Sequence, residues 1–446
     1  MKYRIKIILT VLSMSFFVLV NAQDKRVVTL NEAIDLSIKN SKQLKVDRAR
    51  IEQVSAQVKQ AIQKRLPDAS VTGSYIYLNN PIVSLKTKNN GTGNGGNAPA
   101  PAPKVHQAAY GILNASLPIF AGGRIHYGIE SSKYLAQAVE LDAENNKEEV
   151  IENTVEAYIN LYKSETAVKL YNENLLQAEQ RVKEFANLEK NGLLARNDLL
   201  KVQLQASNVE LALLEARNNW ELANVNMDLM LGLPENTILA ADSSITNQNF
   251  SVTTLDEYVQ SALKNRKDIE ALSLRKKASD VGVKAAKGEL LPNIALSGGY
   301  IAADVPGVLS IANAANIGVG IKYDIGSLWK TRAKVDEAEG RSKELVATQE
   351  LMHDNIRLQV NKAYLNWLSS QKKIAVYQKA IEQADENNRI VKNKYTNGLA
   401  TVTDLLDADF AQIQAHLNYS LAKADAVVIY NQLLQAAGIL SQPQTK

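Results

Sequence analysis

Two segments of the chain carry apolar residues at alternating spacings of three and four positions, which is the pattern of a coiled-coil seam. The first seam runs from Leu199 to Met230 and the second from Leu405 to Ala436. Each follows a proline-free segment long enough for a helix of roughly 100 Å at 1.5 Å per residue. The pattern predicts long helices at 123–187, 197–231, 328–393 and 403–437.

The first return helix carries a second apolar stripe beside its seam. Its members are Leu200, Leu204, Leu211, Leu222, Val225 and Leu229. A helix with two apolar stripes packs between two neighbours, so these helices are expected to form a wall. A rigid trimeric stalk without a lumen is the alternative that the helices leave open.

Four shorter segments alternate apolar with polar residues, as strands with one apolar face do. They lie near 69–78, 108–120, 293–303 and 315–326. In the last, Ile317, Val319, Ile321, Tyr323 and Ile325 alternate with Asn316, Gly318, Gly320, Lys322 and Asp324. In the second, Gly111, Leu113, Ala115, Leu117 and Ile119 share the apolar face. Strands of this length cross a bilayer when tilted, but a half-buried sheet of a soluble domain shows the same alternation.

The chain matches itself in two blocks. Residues 30–76 align on 255–301 without a gap, and residues 158–232 align on 364–438. We therefore predict an internal structural duplication. The first repeat spans 23–240 and the second spans 241–440, followed by a C-terminal tail at 441–446.

The first repeat is longer because it contains a low-complexity segment at 89–103. Gly91, Gly93 and Gly96 fit the spacing of a phosphate-binding loop, which requires a helix directly afterwards. Alternating alanine and proline follow instead, so the segment is interpreted as a surface loop.

The N-terminus has the pattern of an export signal. Lys2, Arg4 and Lys6 precede an apolar run that ends in small residues at Ala22, which predicts a signal peptide at 1–22. An uncleaved membrane anchor is the alternative. No later segment has 18 consecutive apolar residues, so any membrane span is expected to use the strands. Four strands do not close a barrel, whereas two chains would supply eight strands and three would supply twelve.

Composition removes several function classes. The chain has no cysteine, which excludes disulfides, thiolate metal sites and an N-terminal lipid-modified cysteine. The net charge of +4 falls mostly in the signal peptide, so no nucleic-acid partner is expected. The four histidines, His106, His126, His353 and His416, show no metal-ligand spacing. We predict a protein that is not an enzyme and has no catalytic residues, metal or cofactor.

The doubled order of elements resembles the TolC-like family of outer-membrane efflux proteins over residues 27–440. The resemblance rests on repeated openings, on a Leu-Pro pair before each strand pair, and on two turn segments at 190–198 and 395–407. The openings are Leu30-Asn31-Glu32 with Lys39-Asn40 and Leu255-Asp256-Glu257 with Lys264-Asn265, and the pairs are Leu66-Pro67 and Leu291-Pro292.

The resemblance implies a mixed, mostly α fold. Three chains would form a trimeric α-helical coiled-coil barrel, joined to a shared 12-stranded transmembrane β-barrel with four strands per chain. Such a homotrimer lies in the lipid bilayer of the outer membrane and extends into the periplasm. It works with a periplasmic adaptor (membrane fusion) protein and an inner-membrane pump, in efflux or type I secretion, as a passive conduit gated at its periplasmic mouth.

The resemblance also implies roles for residues of the two turns. Asn191, Gly192, Leu193, Asn397, Gly398 and Leu399 would contact the adaptor. Asp404 and Asp407 would form the aperture carboxylates, and Tyr395 would bond to Asp198 as a gate link. The family's basic partner is replaced by Ala400, which leaves Arg196 or Lys394 as substitutes and predicts a weaker resting closure. For Asp198 and Asp404, a role at the positive end of a helix dipole is the alternative.

Overall fold

The computed structural model describes residues 25–79, 81, 105–247 and 250–440. The predicted signal peptide, the glycine- and proline-rich loop at 89–103 and the C-terminal tail lie outside these ranges. The chain is mostly α-helical. Across the described ranges, no helix combines the length and the apolar character needed to cross a membrane.

The same order of main elements occurs twice along the chain. The first series consists of β1 (Arg26–Val28), α1 (Leu30–Asn40), α2 (Lys42–Gln63), β2 (Asp68–Tyr77), β3 (Gln107–Ala121), α3 (Arg124–Lys190) and α4 (Arg196–Leu231). The second consists of β4 (Leu239–Ala241), α5 (Leu255–Asn265), α6 (Lys267–Lys287), β5 (Asn293–Val305), β6 (Leu309–Lys322), α7 (Ser327–Thr396) and α8 (Val402–Ala436). The ends of the four long helices differ from the predicted ends by three residues or fewer.

The chain divides into two compact units, and each unit takes segments from both halves of the sequence. One unit contains Leu141–Glu270 with the segments before Ala49 and after Glu350. The other contains Arg50–Glu140 and Ala271–Gln349. The predicted repeats therefore describe the order of elements along the chain, and the units describe which elements pack together.

The second unit contains a four-stranded antiparallel sheet in the order β2-β3-β5-β6. Its register aligns apolar residues across neighbouring strands, with Val71 opposite Leu113 and Leu296 opposite Val319. The adjacent row is polar, with Ser70 opposite Asn114 and Asn114 opposite Gly299. Because side chains alternate along a strand, the sheet has one apolar face and one polar face.

Two details of the predicted strands were wrong. Strand β6 begins at Leu309 because a tight turn containing Gly307, with φ of +79°, pairs Val305 directly with Leu309. It ends at Lys322, before Tyr323 and Ile325, because the Asp324 carboxylate accepts the backbone N–H of Gly326 at 3.0 Å and starts the turn into α7.

Strand β3 contains an irregularity that the alternation did not predict. The register shifts between Pro118 and Phe120, so that Phe120 lies opposite Ile294. Ile119 is therefore the additional residue of a β-bulge, and the apolar face predicted to end at Ile119 continues through Phe120.

Charged residues in the sheet stand only at strand ends. Asp68 opens β2, Lys322 closes β6, and Asp304 is the penultimate residue of β5. The strand interiors carry only apolar residues, small residues and neutral polar side chains.

The first unit contains a large cluster of buried apolar side chains. Tyr158 of α3 is fully buried and its hydroxyl donates to the backbone oxygen of Val28 at 2.8 Å. The same hydroxyl accepts the backbone N–H of Asp242 at 2.8 Å. The parallel pair β1–β4 is thereby attached to α3, and its residues Val28 and Leu239 pack in one buried cluster with Met227 and Leu231.

Candidate gate at the two helical turns

The turns α3–α4 and α7–α8 have the same backbone construction. In the first, the N–H groups of Gly192 and Leu193 donate to the carbonyls of Glu189 and Leu188, each at 2.9 Å. In the second, the N–H groups of Gly398 and Leu399 donate to Tyr395 and Lys394 at 3.0 and 2.8 Å. This is the Schellman motif, which needs the left-handed φ of Gly192 (+72°) and Gly398 (+71°).

Each turn presents one leucine to solvent. Leu193 is 74% exposed and Leu399 is 77% exposed. Asn191 and Asn397 each donate their side-chain amide to the last helical turn, at Asn187 and Asn393. The asparagines therefore finish the helices, and the leucines are available to a partner.

A buried apolar cluster joins the two helical hairpins just behind the turns. It contains Phe185, Leu199, Val202, Val402 and Leu405. Tyr395 packs against this cluster, and its ring stacks almost parallel to that of Phe185 with 5.8 Å between centroids. The two hairpins consequently share one core at this end.

The structure brings Tyr395 and Asp198 into electrostatic range. Burial raises the pKa of Tyr395, the charge of Asp198 raises it further, and the charge of Arg181 opposes this. The Asp198 carboxylate instead accepts hydrogen bonds at Oδ1, from Lys201 Nζ at 3.2 Å and from Asn197 Nδ2 at 3.5 Å. The gate link from Tyr395 to Asp198 stays a prediction.

Lys201 is a residue of this site that the sequence did not single out. Its ammonium group contacts Asp198 on α4 and also lies 3.4 Å from Thr403 Oγ1 on α8. Lys201 thus bridges the two hairpins beside the turns. The available signal was the three-residue spacing between Asp198 and Lys201, which places the two charges on one helix face.

The two suggested substitutes for the missing basic residue have different surroundings. Arg196 pairs with Glu189 of its own hairpin, with 3.7 Å between Nη1 and Oε1. Lys394 lies near enough to Asp404 that its charge helps to lower the pKa of that carboxyl.

Asp404 takes part in the start of α8. Its N–H donates to Thr401 Oγ1 at 3.2 Å, and its Oδ2 accepts the N–H of Thr401 at 2.8 Å and the hydroxyl at 2.7 Å. These contacts form a capping box and hold the pKa of Asp404 below its usual range, the hydroxyl having the largest effect. The local role that the sequence left open is therefore present, and the aperture role stays a prediction.

Asp407 stands one turn further along α8 and is exposed. Within the residues that the structure describes, its carboxylate has no hydrogen bond and no ion pair. Among the described residues, Asp407 therefore has no capping or pairing role like that of Asp404.

A ladder of polar side chains runs between α3, α7 and α8 behind the apolar cluster. Its members, in contact order, are Arg181, Asp409, Asn388, Gln412, Asp385 and His416. Gln412 Nε2 donates to Asp385 Oδ1 at 2.8 Å, and His416 Nε2 lies 2.9 Å from the same oxygen. Gln412 occupies a seam position of α8, so the seam is polar at this level.

The second apolar stripe of α4 has no cover in the single chain. All its members are exposed, in part or largely: Leu200, Leu204, Leu211, Leu222, Val225 and Leu229. Helix α7 has a comparable exposed row in which Leu351, Leu358 and Leu365 follow one another at intervals of seven. Over the same described ranges, no three His, Asp or Glu side chains come together as a metal-ligand set.

Comparison with known proteins identifies the family. The model for "outer membrane efflux protein" matches residues 33–233 and 258–439. This chain belongs to the outer membrane efflux protein family. The family match covers both series of elements, from α1 to the end of α4 and from α5 to the end of α8.

Three proteins from other bacteria are similar to this chain along most of their length. The outer membrane efflux protein BepC of Brucella suis is 22% identical over 93% of this chain and 86% of its own. The Campylobacter jejuni CmeC outer membrane channel superposes with a TM-score of 0.75, at 19% identity, over 93% of this chain and 87% of its own. The outer membrane protein VceC of Vibrio cholerae superposes with a TM-score of 0.74, at 20% identity, over 92% of this chain and 96% of its own. These structures share the fold of this efflux protein.

Proposed function

We propose that this chain is the outer-membrane channel subunit of a tripartite efflux or type I secretion system, which passively conducts substrates from an inner-membrane pump and a periplasmic adaptor to the outside. The sheet carries this proposal. Its apolar face and charge-free strand interiors suit lipid on one side and water on the other. Family membership supports an outer-membrane location, with the long helices in the periplasm.

The open edges of the sheet support an assembly of several chains, and the family resemblance favours a homotrimer. Within the described residues β2 pairs only with β3, and β6 only with β5, so both outer edges have free backbone groups. Such edges cost several kcal/mol per group in lipid, so the strands must continue into another chain. Three chains, each joining β6 to the next chain's β2, would close a twelve-stranded barrel.

The exposed stripes on the helices support the same arrangement. The α4 stripe and the Leu351–Leu358–Leu365 row of α7 are different surfaces, so contact between them on successive chains is heterologous and can close a ring. The result would be a helical tunnel with its mouth at the two turns.

The turns would form the gate and the adaptor contact. Three copies of Asp407, with Asp404 nearby, would create a focused negative potential that favours cations. Lys201, between Asp198 and Thr403, would hold the two hairpins together at rest. The exposed Leu193 and Leu399 would provide the apolar contact for the adaptor.

Ion conductance tests the proposal against the structural stalk. Purified full-length protein is inserted into planar bilayers, and stepwise, salt-dependent conductance is expected. A Lys201→Gln/Tyr395→Phe variant should conduct more because its hairpins are less firmly linked. An inserted trimer in which neither form conducts would instead support the stalk without a lumen.

A further inference from the structure

The junction between β6 and α7 exposes a group of large apolar side chains. Ile325, Leu328 and Trp329 are 64%, 57% and 66% exposed. Ser327 and Thr331, in the same turn, are buried. The first turn of α7 therefore packs through small polar residues and leaves its large apolar residues outside, and a contiguous exposed group of this kind marks an interaction surface.

Two cations accompany this apolar group. Lys330 and Arg332 are exposed, and Arg332 follows Leu328 by four positions and Trp329 by three, which places all three on neighbouring parts of one helix surface. Neither cation belongs to an ion pair with any described residue. Lys334, by contrast, pairs with Glu289 at 2.7 Å.

A second cationic junction lies at the same end of the sheet. The antiparallel register places the start of β2, next to Lys64 and Arg65, at the end where β6 finishes with Lys322. Lys64, Arg65 and Leu66 are all exposed. This end of the sheet thus combines apolar side chains with cations at both of its outer strands.

The fold does not require these exposed residues at a strand-to-helix junction. The other such junction in this unit, between β3 and α3, contains Gly122 and Gly123. Gly122 packs so closely that a Cβ atom would lie 2.1 Å from the carbonyl oxygen of Gly288. The exposed Leu328-Trp329 pair therefore needs an explanation other than chain geometry.

We propose that the junction surface, formed by residues 323–332 and joined in the proposed barrel by Lys64 and Arg65 of the neighbouring chain, binds the headgroups of anionic glycerophospholipids. Tryptophan and tyrosine favour the headgroup level of a bilayer, and lysine and arginine reach phosphates while their stems cover apolar surface. The apolar row Ile317, Val319 and Ile321 of β6 runs directly into this surface. The inference rests on the proposed function, since it assumes that the sheet spans the outer membrane.

Quenching of tryptophan fluorescence tests the apolar part. The full-length protein is reconstituted in phosphatidylcholine/phosphatidylglycerol vesicles whose lipids carry bromine near the headgroup end of the acyl chains. The brominated lipid should quench the emission of Trp329 in the wild-type protein. The variant Trp329→Phe should show less quenching, because its remaining tryptophans, Trp220 and Trp367, belong to the first unit. Equal quenching of wild type and Trp329→Phe overturns the proposal.

The role of charge is tested with two vesicle preparations, in which either phosphatidylglycerol or phosphatidylcholine carries the bromine. Quenching of Trp329 by brominated phosphatidylglycerol should exceed that by brominated phosphatidylcholine roughly twofold or more, as expected for attraction of anionic lipid by cations near the surface. The preference should disappear in Lys330→Gln/Arg332→Gln and persist in Lys372→Gln/Lys373→Gln, which removes two exposed lysines further along α7. Loss in both variants, or in neither, overturns the charge assignment.

Vesicle flotation and conductance separate this inference from the proposed function. Protein that inserts and conducts, but whose Trp329 is quenched by aqueous iodide and not by brominated lipid, refutes the junction surface alone. Protein that does not insert refutes both.

Discussion

Thr401 and Asp404 cap helix α8 reciprocally, with backbone N–H to side-chain distances of 2.8 and 3.2 Å. The matched positions at the start of α4, at the repeat offset of 206, are Ala195 and Asp198. Ala195 provides no side-chain cap. In both turns that we assign to the gate, the preceding helix ends in the same Schellman motif. The following helix has a side-chain cap only in the second turn, and this difference can be tested.

Restoring the missing cap should stabilise the first turn. Ala195 already has the extended backbone of an N-cap, with φ −74° and ψ 145°, so Ala195→Thr introduces no strain. A new capping box is worth about 1 kcal/mol, which corresponds to roughly fivefold slower hydrogen exchange at the Asp198 amide. Ala195→Val is the control, because it is β-branched without a hydroxyl. Equal slowing by Thr and Val would contradict the capping explanation.

Loss of the Lys201 bridge should open the gate. Lys201→Gln and Thr403→Val each remove part of the contact between α4 and α8, so both should increase the single-channel conductance. The double variant should conduct little more than either single variant, because each of the three variants loses the same contact between Lys201 and Thr403. Lys190→Gln, which removes an exposed lysine at the same turn, serves as the control. An equal increase in that variant would indicate a general charge effect.

Asp407 should affect ion selectivity without affecting stability. Asp407→Asn removes a carboxylate that has no partner within the described chain, so the melting temperature should stay unchanged while the preference for cations falls. The measurement is the reversal potential under a salt gradient. Asp354→Asn, an exposed carboxylate on α7, is the matched control. A fall in melting temperature without a change in reversal potential would assign Asp407 to folding.

Asp228 should make the first unit less stable as the pH rises. Its side chain is fully buried, and this burial raises its pKa to about 6, although the backbone N–H of Thr237 opposes the shift. A carboxyl with a raised folded-state pKa favours folding at low pH, and this contribution is lost as the pH rises through about 6.

At pH 8 the free energy of unfolding of Asp228→Asn should therefore exceed that of wild type by roughly 3 kcal/mol, and the difference should vanish below about pH 4. The matched position in the second half is Leu434, which is buried, so Asp228→Leu should behave in the same way. Glu221→Gln, an exposed carboxylate on the same helix, is the control. A pH-independent difference would show that packing rather than ionisation is responsible.

The exposed row on α7 should be needed for assembly. Leu358→Glu places a charge in the middle of this row, and a buried unpaired charge is strongly unfavourable, so the trimer should give way to monomer. Light scattering of the detergent-solubilised protein measures the mass directly. Gln371→Glu, an exposed position on the same helix, should leave the trimer intact. A trimeric Leu358→Glu protein would place this row outside the subunit interface.

Local periodicity explains why the sequence predicts the long helices so closely. The 3,4 spacing from Leu199 and from Leu405 is a property of each helix alone, and glycine at 192 and 398 marks where helices end. The start of β6 was missed because the alternation of Leu309, Ser310 and Ile311 breaks over 312–314, although Pro306-Gly307 offered a turn signal. The bulge at Ile119, by contrast, depends on the register with β5.

The candidate site likewise combines features that depend on local sequence with features that depend on packing between distant segments. The turns and the carboxylates near them follow from local sequence, whereas the Lys201–Thr403 contact and the Arg181–Asp409 pair join residues about 200 positions apart and depend on how the hairpins pack. Asp404 shows the opposite case, since its capping role was available from the Thr-x-x-Asp spacing at 401–404.

The open edges of the sheet bear on how the protein reaches its final location. A newly exported chain presents the free edges of β2 and β6 together with an apolar face, which is the combination that invites pairing with unrelated strands. If the chain assembles as the proposed trimer, its lifetime before assembly depends on how quickly it meets two further copies, so yield should rise more steeply than in proportion to synthesis.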